Sequence, residues 1–182
     1  MKSVLIAIRP QWVEKIASGQ KTIEVRKTAP KEVPFKCYIY ETKGQYVKFT
    51  HGAHTKYGYG RGKVIGEFIC DKVYSIKNRG SSFSVADEEQ SVTNEIARQS
   101  CLYYDDMVSY FGNKDGFGWH ISDLKIYDKP RELSEFSRPC SYSGLCFSCK
   151  RTSFKKDGNL LCNTKITRPP QSWMHVEDLG EE

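Results

Sequence analysis

One stretch of eight residues decides the fold of this chain: Gly19-Gln20-Lys21-Thr22-Ile23-Glu24-Val25-Arg26. Polar and apolar residues alternate from Thr22 onward, which is typical of a β-strand with one buried face. Ile23 and Val25 are expected in the core, and Thr22, Glu24 and Arg26 on the opposite face. The pattern thus predicts a cation, a hydroxyl, a carboxylate and a guanidinium in one short segment. A half-solvated strand carries such residues for contact with water alone, so the surrounding sequence has to decide.

The elements before this stretch favour a site. Residues 3–8 are nearly all apolar and predict a buried strand, and Pro10 suits the first turn of a helix. That helix is expected to end at Ser18-Gly19, where glycine is a good C-terminal stop. A strand, a helix, a tight turn and a polar-faced strand bring the helix C-terminus and Lys21 into the same corner.

The remaining pattern is mostly β. Strands are predicted at 36–42, 46–49, 63–74 and 116–127, with a bulge or bend at Gly66 in the third. A Gly-, Tyr- and His-rich loop is predicted at 51–62, a polar loop at 78–91 and a helical turn at 130–136. Helices are predicted at 92–99 and from an N-cap at Ser100 to Gly112. Regular β-α alternation is missing, so the predicted fold class is α+β, a small, strongly bent mixed β-barrel with flanking helices.

The amino-acid composition indicates which kinds of binding partner the chain favours. The net charge of +6 and a pI of about 8.9 favour a polyanionic partner. The eleven Tyr and nine Phe supply amphipathic and aromatic contact surface. No apolar run reaches membrane-spanning length, and the N-terminal segment is too short for a signal peptide. The chain is predicted to be cytoplasmic, in a bacterial or phage-infected host cell, with no membrane partner and an RNA or nucleotide ligand.

Four of the seven cysteines cluster in a basic, polar segment with few core residues: Cys140, Cys146, Cys149 and Cys162. The C-x-x-C spacing allows two thiolates to reach one tetrahedral ion, and the other two would complete a four-sulfur site. The sequence therefore predicts a structural zinc ion. The alternatives are unliganded thiols in a loop or a redox pair. The other three are interpreted as ordinary buried thiols.

The chain resembles the ASCH family of the PUA-like superfamily. The family signature G-x-K-T-x-E-x-R stands intact in residues 19–26, Val64–Phe68 matches a core strand and Gly118–Ile121 a late strand. Arg168–Trp173 is similar to the C-termini of phage- and prophage-type members. The resemblance divides the chain into an ASCH/PUA-like barrel (1–136), a Cys-rich insertion or zinc knuckle (137–165) and a segment that returns to the barrel (166–182).

The resemblance implies a positively charged cleft beside the first helix, in which the family is expected to bind RNA or nucleotides. Some small members hydrolyse an acyl amide on a modified cytidine, and ribonuclease activity is ascribed to others. Lys and Thr are the proposed catalysts in the amidohydrolases, but their Thr falls where this chain has Glu24. Their catalytic Glu lies in a helical segment, where Glu95 is the corresponding candidate.

Two chemical interpretations of the cleft remain open. As a ligand site, it would use seven residues: Lys21, Thr22, Glu24, Arg26, Tyr40, Trp119 and His120. As a hydrolase site, Lys21 would activate Thr22, and Glu24 or Glu67 would move protons. Trp12 and Tyr38 are further stacking candidates, with core packing as the alternative. A protein-interaction module is the third hypothesis, and a metal role for His51 and His54 is a minor one.

Overall fold

The structure is a computed structural model that describes residues 1–51, 54–140, 152–154, 160–162 and 164–180. Within these ranges, residues 49–51, 54–55, 152–154 and 160–162 are described by their backbone only. None of the helices in the described ranges has the length and apolar character that a membrane span requires.

The described residues form thirteen strands and three α-helices. The first seven strands are β1 (Lys2–Ile8), β2 (Ile23–Arg26), β3 (Phe35–Glu41), β4 (Gln45–His51), β5 (His54–Tyr59), β6 (Val64–Cys70) and β7 (Val73–Asn78). The others are β8 (Phe83–Val85), β9 (Gly116–His120), β10 (Ser122–Arg131), β11 (Thr152–Phe154), β12 (Leu160–Cys162) and β13 (Trp173–Val176). The helices are α1 (Pro10–Ala17), α2 (Gln90–Ser100) and α3 (Tyr104–Phe111), and a 3₁₀ turn covers Leu133–Glu135.

A five-stranded mixed sheet forms the centre, in the order β10-β6-β3-β1-β13. β1 runs parallel to β3 and antiparallel to β13. Val4, Ile6 and Ile8 of β1 join one core cluster, and Leu5 and Ala7 join a second cluster on the opposite face. Both faces of β1 are therefore covered, which explains the unbroken apolar run predicted as a buried strand.

A four-stranded antiparallel sheet, in the order β2-β9-β7-β8, packs beside the first. Ile23 and Val25 of β2 pack in a third cluster with Ile96 of α2 and with Met107 and Phe111 of α3. The predicted inward direction of Ile23 and Val25 is confirmed. The second sheet thus places the predicted polar strand between the central sheet and two helices.

Trp119 of β9 joins the two sheets. Its ring is fully buried and meets Phe35 edge to face, with 5.1 Å between ring centroids. Trp173 of β13 lies on another side of it at 5.8 Å. Two aromatic contacts in a dry interior give this residue a large share of the inter-sheet packing.

Several predicted elements differ from the structure. The segment predicted as one strand over 63–74 is two strands, β6 and β7, in different sheets. The segment over 116–127 is likewise divided into β9 and β10. Uniform β propensity hides such a break, because both halves of a bent segment carry strand-forming residues. The bulge at Gly66 is confirmed, since the β3–β6 register shifts beside it.

Other differences concern the helices and loops. Ser100 is the last residue of α2 rather than the N-cap of α3, whose N-cap is Tyr103. The loop predicted at 51–62 contains β5, which pairs with β4, and the polar stretch after 78 contains β8. The strands of the described residues group into separate sheets and do not show the closed barrel that the sequence suggested. The mixed α+β class is confirmed.

Replacing Trp119 tests its role in joining the sheets. Trp119→Ala should lower the free energy of unfolding by about 3–5 kcal/mol, because a large buried ring is lost and a cavity remains. Trp119→Phe keeps an aromatic edge for Phe35 and should lose less. Urea denaturation measures both, with the exposed Val47→Ala as a control that shifts stability by about 1 kcal/mol or less. An equally small loss in Trp119→Ala would contradict the assignment.

Candidate functional site

A pocket of about 500 Å³ opens beside β2. Its floor is formed by Lys21, Glu24, Val25 and Arg26. Its walls come from the start of α1, from α3 and the loop before it, and from the chain around β1, β3 and the approach to β13. The wall residues are Ala7, Ile8, Arg9, Trp12, Thr42, Leu102, Asp106, Ser109, Tyr110, Pro170 and Gln171. The volume lies within the range of small-molecule sites in proteins.

Three charged residues on the pocket floor form a buried ion-pair cluster. The Glu24 Oε1 lies 2.9 Å from the Arg26 Nη2, and its Oε2 lies 3.4 Å from the Lys21 Nζ. Lys21 donates to the carbonyl oxygen of Ser100 at 2.6 Å, and Arg26 donates to that of Ala7 at 2.8 Å. The cluster therefore ties β2 to the end of α2 and to β1.

Two polar atoms of this cluster have no hydrogen-bond partner among the described residues. They are the Glu24 Oε2, which has only the ion pair with Lys21, and the Arg26 Nε. Glu24 is 5% exposed and Arg26 8% exposed, so water contact is slight. A buried acceptor and a buried donor without partners carry a desolvation cost that a ligand can offset. Two residues that line the pocket thus contain one acceptor and one donor without a partner among the described residues.

Burial lowers the pKa of Lys21 below the usual lysine value, and the nearby Glu24 carboxylate opposes this. The Lys21 side chain is 2% exposed, and its ammonium lies 5.4 Å from the centroid of the Trp12 ring. Lys21 therefore loses its proton at a lower pH than an exposed lysine. Such a side chain can hold an anion when protonated and can accept a proton when neutral.

The local sequence explains why Lys21 reaches the floor. Gly19 has a positive φ of 74°, which lets the chain reverse directly after α1, because glycine adopts this conformation without steric cost. The Lys21 amide then donates to the Lys15 carbonyl, and the Thr22 amide donates to the Gln99 carbonyl. These bonds fix the two residues before β2 starts. Lys21 consequently points into the pocket beside Glu24 and Arg26.

The charge of the pocket is only slightly positive. Arg9, Lys21 and Arg26 supply three cations against two carboxylates, Glu24 and Asp106. The net charge of the lining residues is therefore only +1, so the placement of the three cations matters more than the excess of charge.

Four residues predicted for the site do not line the pocket. Thr22 is half-buried behind the floor, where its carbonyl accepts from the Ile121 amide. Tyr40 packs with the core cluster on the far face of the central sheet, and Trp119 is fully buried between the sheets. His120 is half-exposed, and its Nδ1 lies 2.6 Å from the Asp71 carboxylate. The structure thus brings Lys21, Glu24 and Arg26 together without these four.

The other candidate acids also lie elsewhere. Hydrogen bonds from Arg98 and Gln99 lower the pKa of Glu95 to about 2 on the surface of α2. Glu67 accepts from the Tyr127 hydroxyl and lies 4.0 Å from Lys36. Neither lines the pocket. The side chains of His51 and His54 are outside the described parts of the structure.

Several pocket residues were missed by the sequence interpretation. Asp106, Ser109 and Tyr110 come from α3, which reaches the pocket only through tertiary packing. Their i, i+3 and i+4 spacing places them on one helix face, and this was the available signal. Trp12, a stacking candidate with core packing as the alternative, is partly buried against the core and also lines the pocket.

The predicted zinc ligands lie largely outside the described residues. Cys146 and Cys149 are not described, and Cys162 is described by its backbone only, opposite Thr152 in the β11–β12 pair. Cys140 is exposed. Among the residues the structure does describe, no three His, Cys, Asp or Glu side chains come close enough to hold a metal ion.

Of the comparisons with known proteins, only the one with solved structures gives a match, and it concerns the fold. No protein-family model matches the sequence, and no curated protein matches it. Among solved structures, the crystal structure of ASCH from Zymomonas mobilis is similar with a TM-score of 0.56 and 18% identity, over 97% of this chain and 88% of that one. A serine-to-alanine variant of the Zymomonas protein gives 0.56 and 17%, over 97% and 89%. The chain therefore has the fold of the ASCH proteins.

Proposed function

We propose that this chain is an ASCH-domain protein that binds a nucleotide, free or within RNA, in the pocket above Lys21, Glu24 and Arg26. One observation carries the proposal: the Glu24 Oε2 and the Arg26 Nε are buried, belong to residues that line the pocket and lack hydrogen-bond partners among the described residues. The ASCH-type fold and the intact signature over residues 19–26 support it.

The two unpartnered atoms match the edge of a nucleobase. A carboxylate oxygen accepts from an exocyclic amine, and a guanidinium N–H donates to a ring nitrogen or carbonyl oxygen. Cytosine presents both kinds of group side by side on its pairing edge. Glu24 and Arg26 are therefore proposed to read a base with an exocyclic amine.

The walls suit the rest of a nucleotide. Trp12 and Tyr110 offer aromatic surface for the base plane. Arg9 is exposed at the start of α1, and protonated Lys21 lies at the floor, so both can contact phosphate. A ligand of this kind uses both the polar floor and the aromatic walls.

A hydrolase acting on an acylated nucleoside or on RNA is the second candidate. The pKa of Lys21, which burial lowers, favours it, because a lysine that loses its proton more readily can serve as a base. Thr22 lies outside the pocket lining, so Ser109 and Thr42 supply the aliphatic hydroxyl groups among the residues that line the pocket. Release of acid from acylated cytidine, lost in Lys21→Ala, would establish this activity, and no turnover over a broad panel would remove its support.

A structural zinc ion remains part of the proposal. It rests on the spacing of Cys146 and Cys149 and on the two further cysteines, Cys140 and Cys162. Thiolates in this number can hold zinc tetrahedrally and stabilise a segment with few core residues.

Lys21→Ala should weaken binding of cytidine monophosphate by about tenfold or more, because a buried charge that meets the ligand is lost. Isothermal titration calorimetry measures the affinity. Lys31→Ala removes an exposed lysine and is the matched control, expected to bind as the wild type does. Thermal unfolding of both variants must show a folded protein, and unchanged affinity in folded Lys21→Ala would contradict the site.

Glu24→Gln should reduce the preference for cytidine over uridine monophosphate by about 5- to 150-fold, since a base-reading contact contributes about 1–3 kcal/mol. The glutamine keeps the shape of the side chain but replaces one acceptor by an amide donor. The ratio of the two affinities is the measurement. A preference that survives the change would show that Glu24 does not read the base.

Zinc content can be measured directly on the purified full chain. Elemental analysis should find about one zinc per chain, and the double change Cys146→Ser and Cys149→Ser should abolish it, since a site that keeps only two thiolates binds zinc weakly. Cys101→Ser, in which the altered thiol belongs to the end of α2, is the control and should keep the metal. Metal-free wild-type protein would contradict the zinc proposal and leave the pocket proposal untouched.

A further inference from the structure

The β4–β5 hairpin presents an exposed aromatic face. Tyr57 and Tyr59 are two residues apart in β5 and therefore share a face. Val47 and Gln45 lie directly opposite them in the register, so the same face includes both. Val47, Tyr57 and Tyr59 are 57%, 53% and 72% exposed. A cluster of large side chains this exposed is typical of an interaction site.

The opposite face of the hairpin is the one packed on the protein. Lys48 lies 3.4 Å from the Glu14 carboxylate of α1, and the Tyr46 hydroxyl donates to that same residue. The Tyr46 ring lies against Gly58, where an added Cβ would collide with it. Tyr46 and Lys48 thus hold the hairpin on α1, and the Tyr57 face is directed away from the protein.

The hairpin and the residues that flank it are positively charged. Residues 42–66 contain five cations and no carboxylate: Lys43, Lys48, Lys56, Arg61 and Lys63. Three of them form ion pairs with residues outside the segment, namely Lys48 with Glu14, Arg61 with Glu41 and Lys63 with Glu132. Lys43 and Lys56 are exposed and form no ion pair with any residue the structure describes. Exposed rings beside unpaired cations suit a polyanion that carries flat aromatic groups.

The hairpin begins where the pocket wall ends. Thr42 lines the pocket, and the next residue is Lys43. The Gly60 amide donates to the Gly44 carbonyl and closes the hairpin base, at which Arg61 is 59% exposed. A Cβ at Gly60 would collide with the Thr42 carbonyl oxygen, so the base is tightly packed on the wall. The pocket, the cations at the hairpin base and the rings of Tyr59 and Tyr57 therefore follow one another along the surface. The path is about 20 Å long, which is the length of a six-residue strand such as β5.

We infer that the Val47, Tyr57 and Tyr59 face of the hairpin is a docking surface for single-stranded nucleic acid that continues from the nucleotide in the pocket. Lys43 and Arg61 contact the first phosphates outside the pocket, and Tyr59 and then Tyr57 stack on the following bases. The inference rests on the proposed function for the identity of the pocket ligand. Charge complementarity along residues 42–66 selects this occupant over a second copy of the chain, which carries the same charge.

The test compares a labelled oligocytidylate of about twelve nucleotides with cytidine monophosphate, both on the full chain. The double change Tyr57→Ala and Tyr59→Ala should weaken oligonucleotide binding by about 25-fold or more, from about fivefold for each ring. Affinity for the mononucleotide should not change. Tyr57→Phe with Tyr59→Phe keeps both rings and should bind as the wild type, which separates stacking from a folding defect.

Charge is tested in the same assay. Lys43→Gln with Arg61→Gln should reduce the slope of log affinity against log salt by about 1.4, from about 0.7 for each phosphate contact on a single strand. Lys125→Gln with Lys129→Gln removes the same charge from exposed positions of β10 and should leave the slope unchanged. An equal effect in both pairs would overturn the role given to the hairpin cations.

Other outcomes separate the two proposals. Oligonucleotide binding that ignores the tyrosine changes but is lost in Lys21→Ala overturns the docking surface and leaves the pocket proposal standing. Oligonucleotide binding that needs the tyrosines, in a protein that does not bind the mononucleotide, supports the docking surface and refutes the pocket proposal. No oligonucleotide binding by the wild type, equal binding of a duplex, or tyrosine changes that alter only self-association in sedimentation overturns the docking surface.

Discussion

A carboxylate held between two cations in a nearly dry interior is the constraint on which this structure depends. Glu24 contacts Lys21 and Arg26, and each cation also donates to a main-chain carbonyl of another element. Removing three charges from water is costly, and their mutual attraction compensates only when the geometry is good. The carbonyls of Ser100 and Ala7 supply part of that geometry. The cluster therefore specifies how β2 sits against β1 and α2 as much as it shapes the pocket.

The rest of the pocket depends on elements distant in the sequence. α3 supplies one wall, and the segment before β13 supplies Pro170 and Gln171. β13 is held by pairing with β1, and Asp178 beyond it accepts from Tyr38 and Lys36 on the far face of the central sheet. The residues that bind Asp178 are thus different from those that line the pocket. This separation allows the floor to keep unpartnered polar atoms while the fold around it is well packed.

Sequence reasoning predicted the floor and missed most of the walls. The alternation in residues 19–26 is a local signal, and it identified Lys21, Glu24 and Arg26 correctly as neighbours. Thr22 was predicted on the same face but does not line the pocket. It precedes β2, which starts at Ile23, so strand alternation does not determine the direction of its side chain. Trp119 was predicted to contact the ligand, but its large ring fills the junction between the two sheets and is fully buried. The helical spacing of the α3 residues places them on one face, but it does not indicate that this face lines the pocket, because tertiary packing decides that.

The β4–β5 hairpin includes residues that were predicted as a loop. Glycine at 58 and 60 suggested a loop, yet both glycines lie where a side chain would collide with a neighbour, the Tyr46 ring in one case and the Thr42 carbonyl in the other. Glycine here serves close approach within and beside a strand. Propensity alone therefore gave the wrong element, although the density of Tyr and Lys in the segment was visible in the sequence.

The position of Pro170 and Gln171 has a consequence for synthesis of the chain. They are the last pocket residues to be translated, and β13, which anchors them, follows at once. A nascent polypeptide still threaded through the ribosome exit tunnel can bury Glu24 between its cations but cannot complete the wall. The pocket is thus complete only after these residues have emerged from the tunnel.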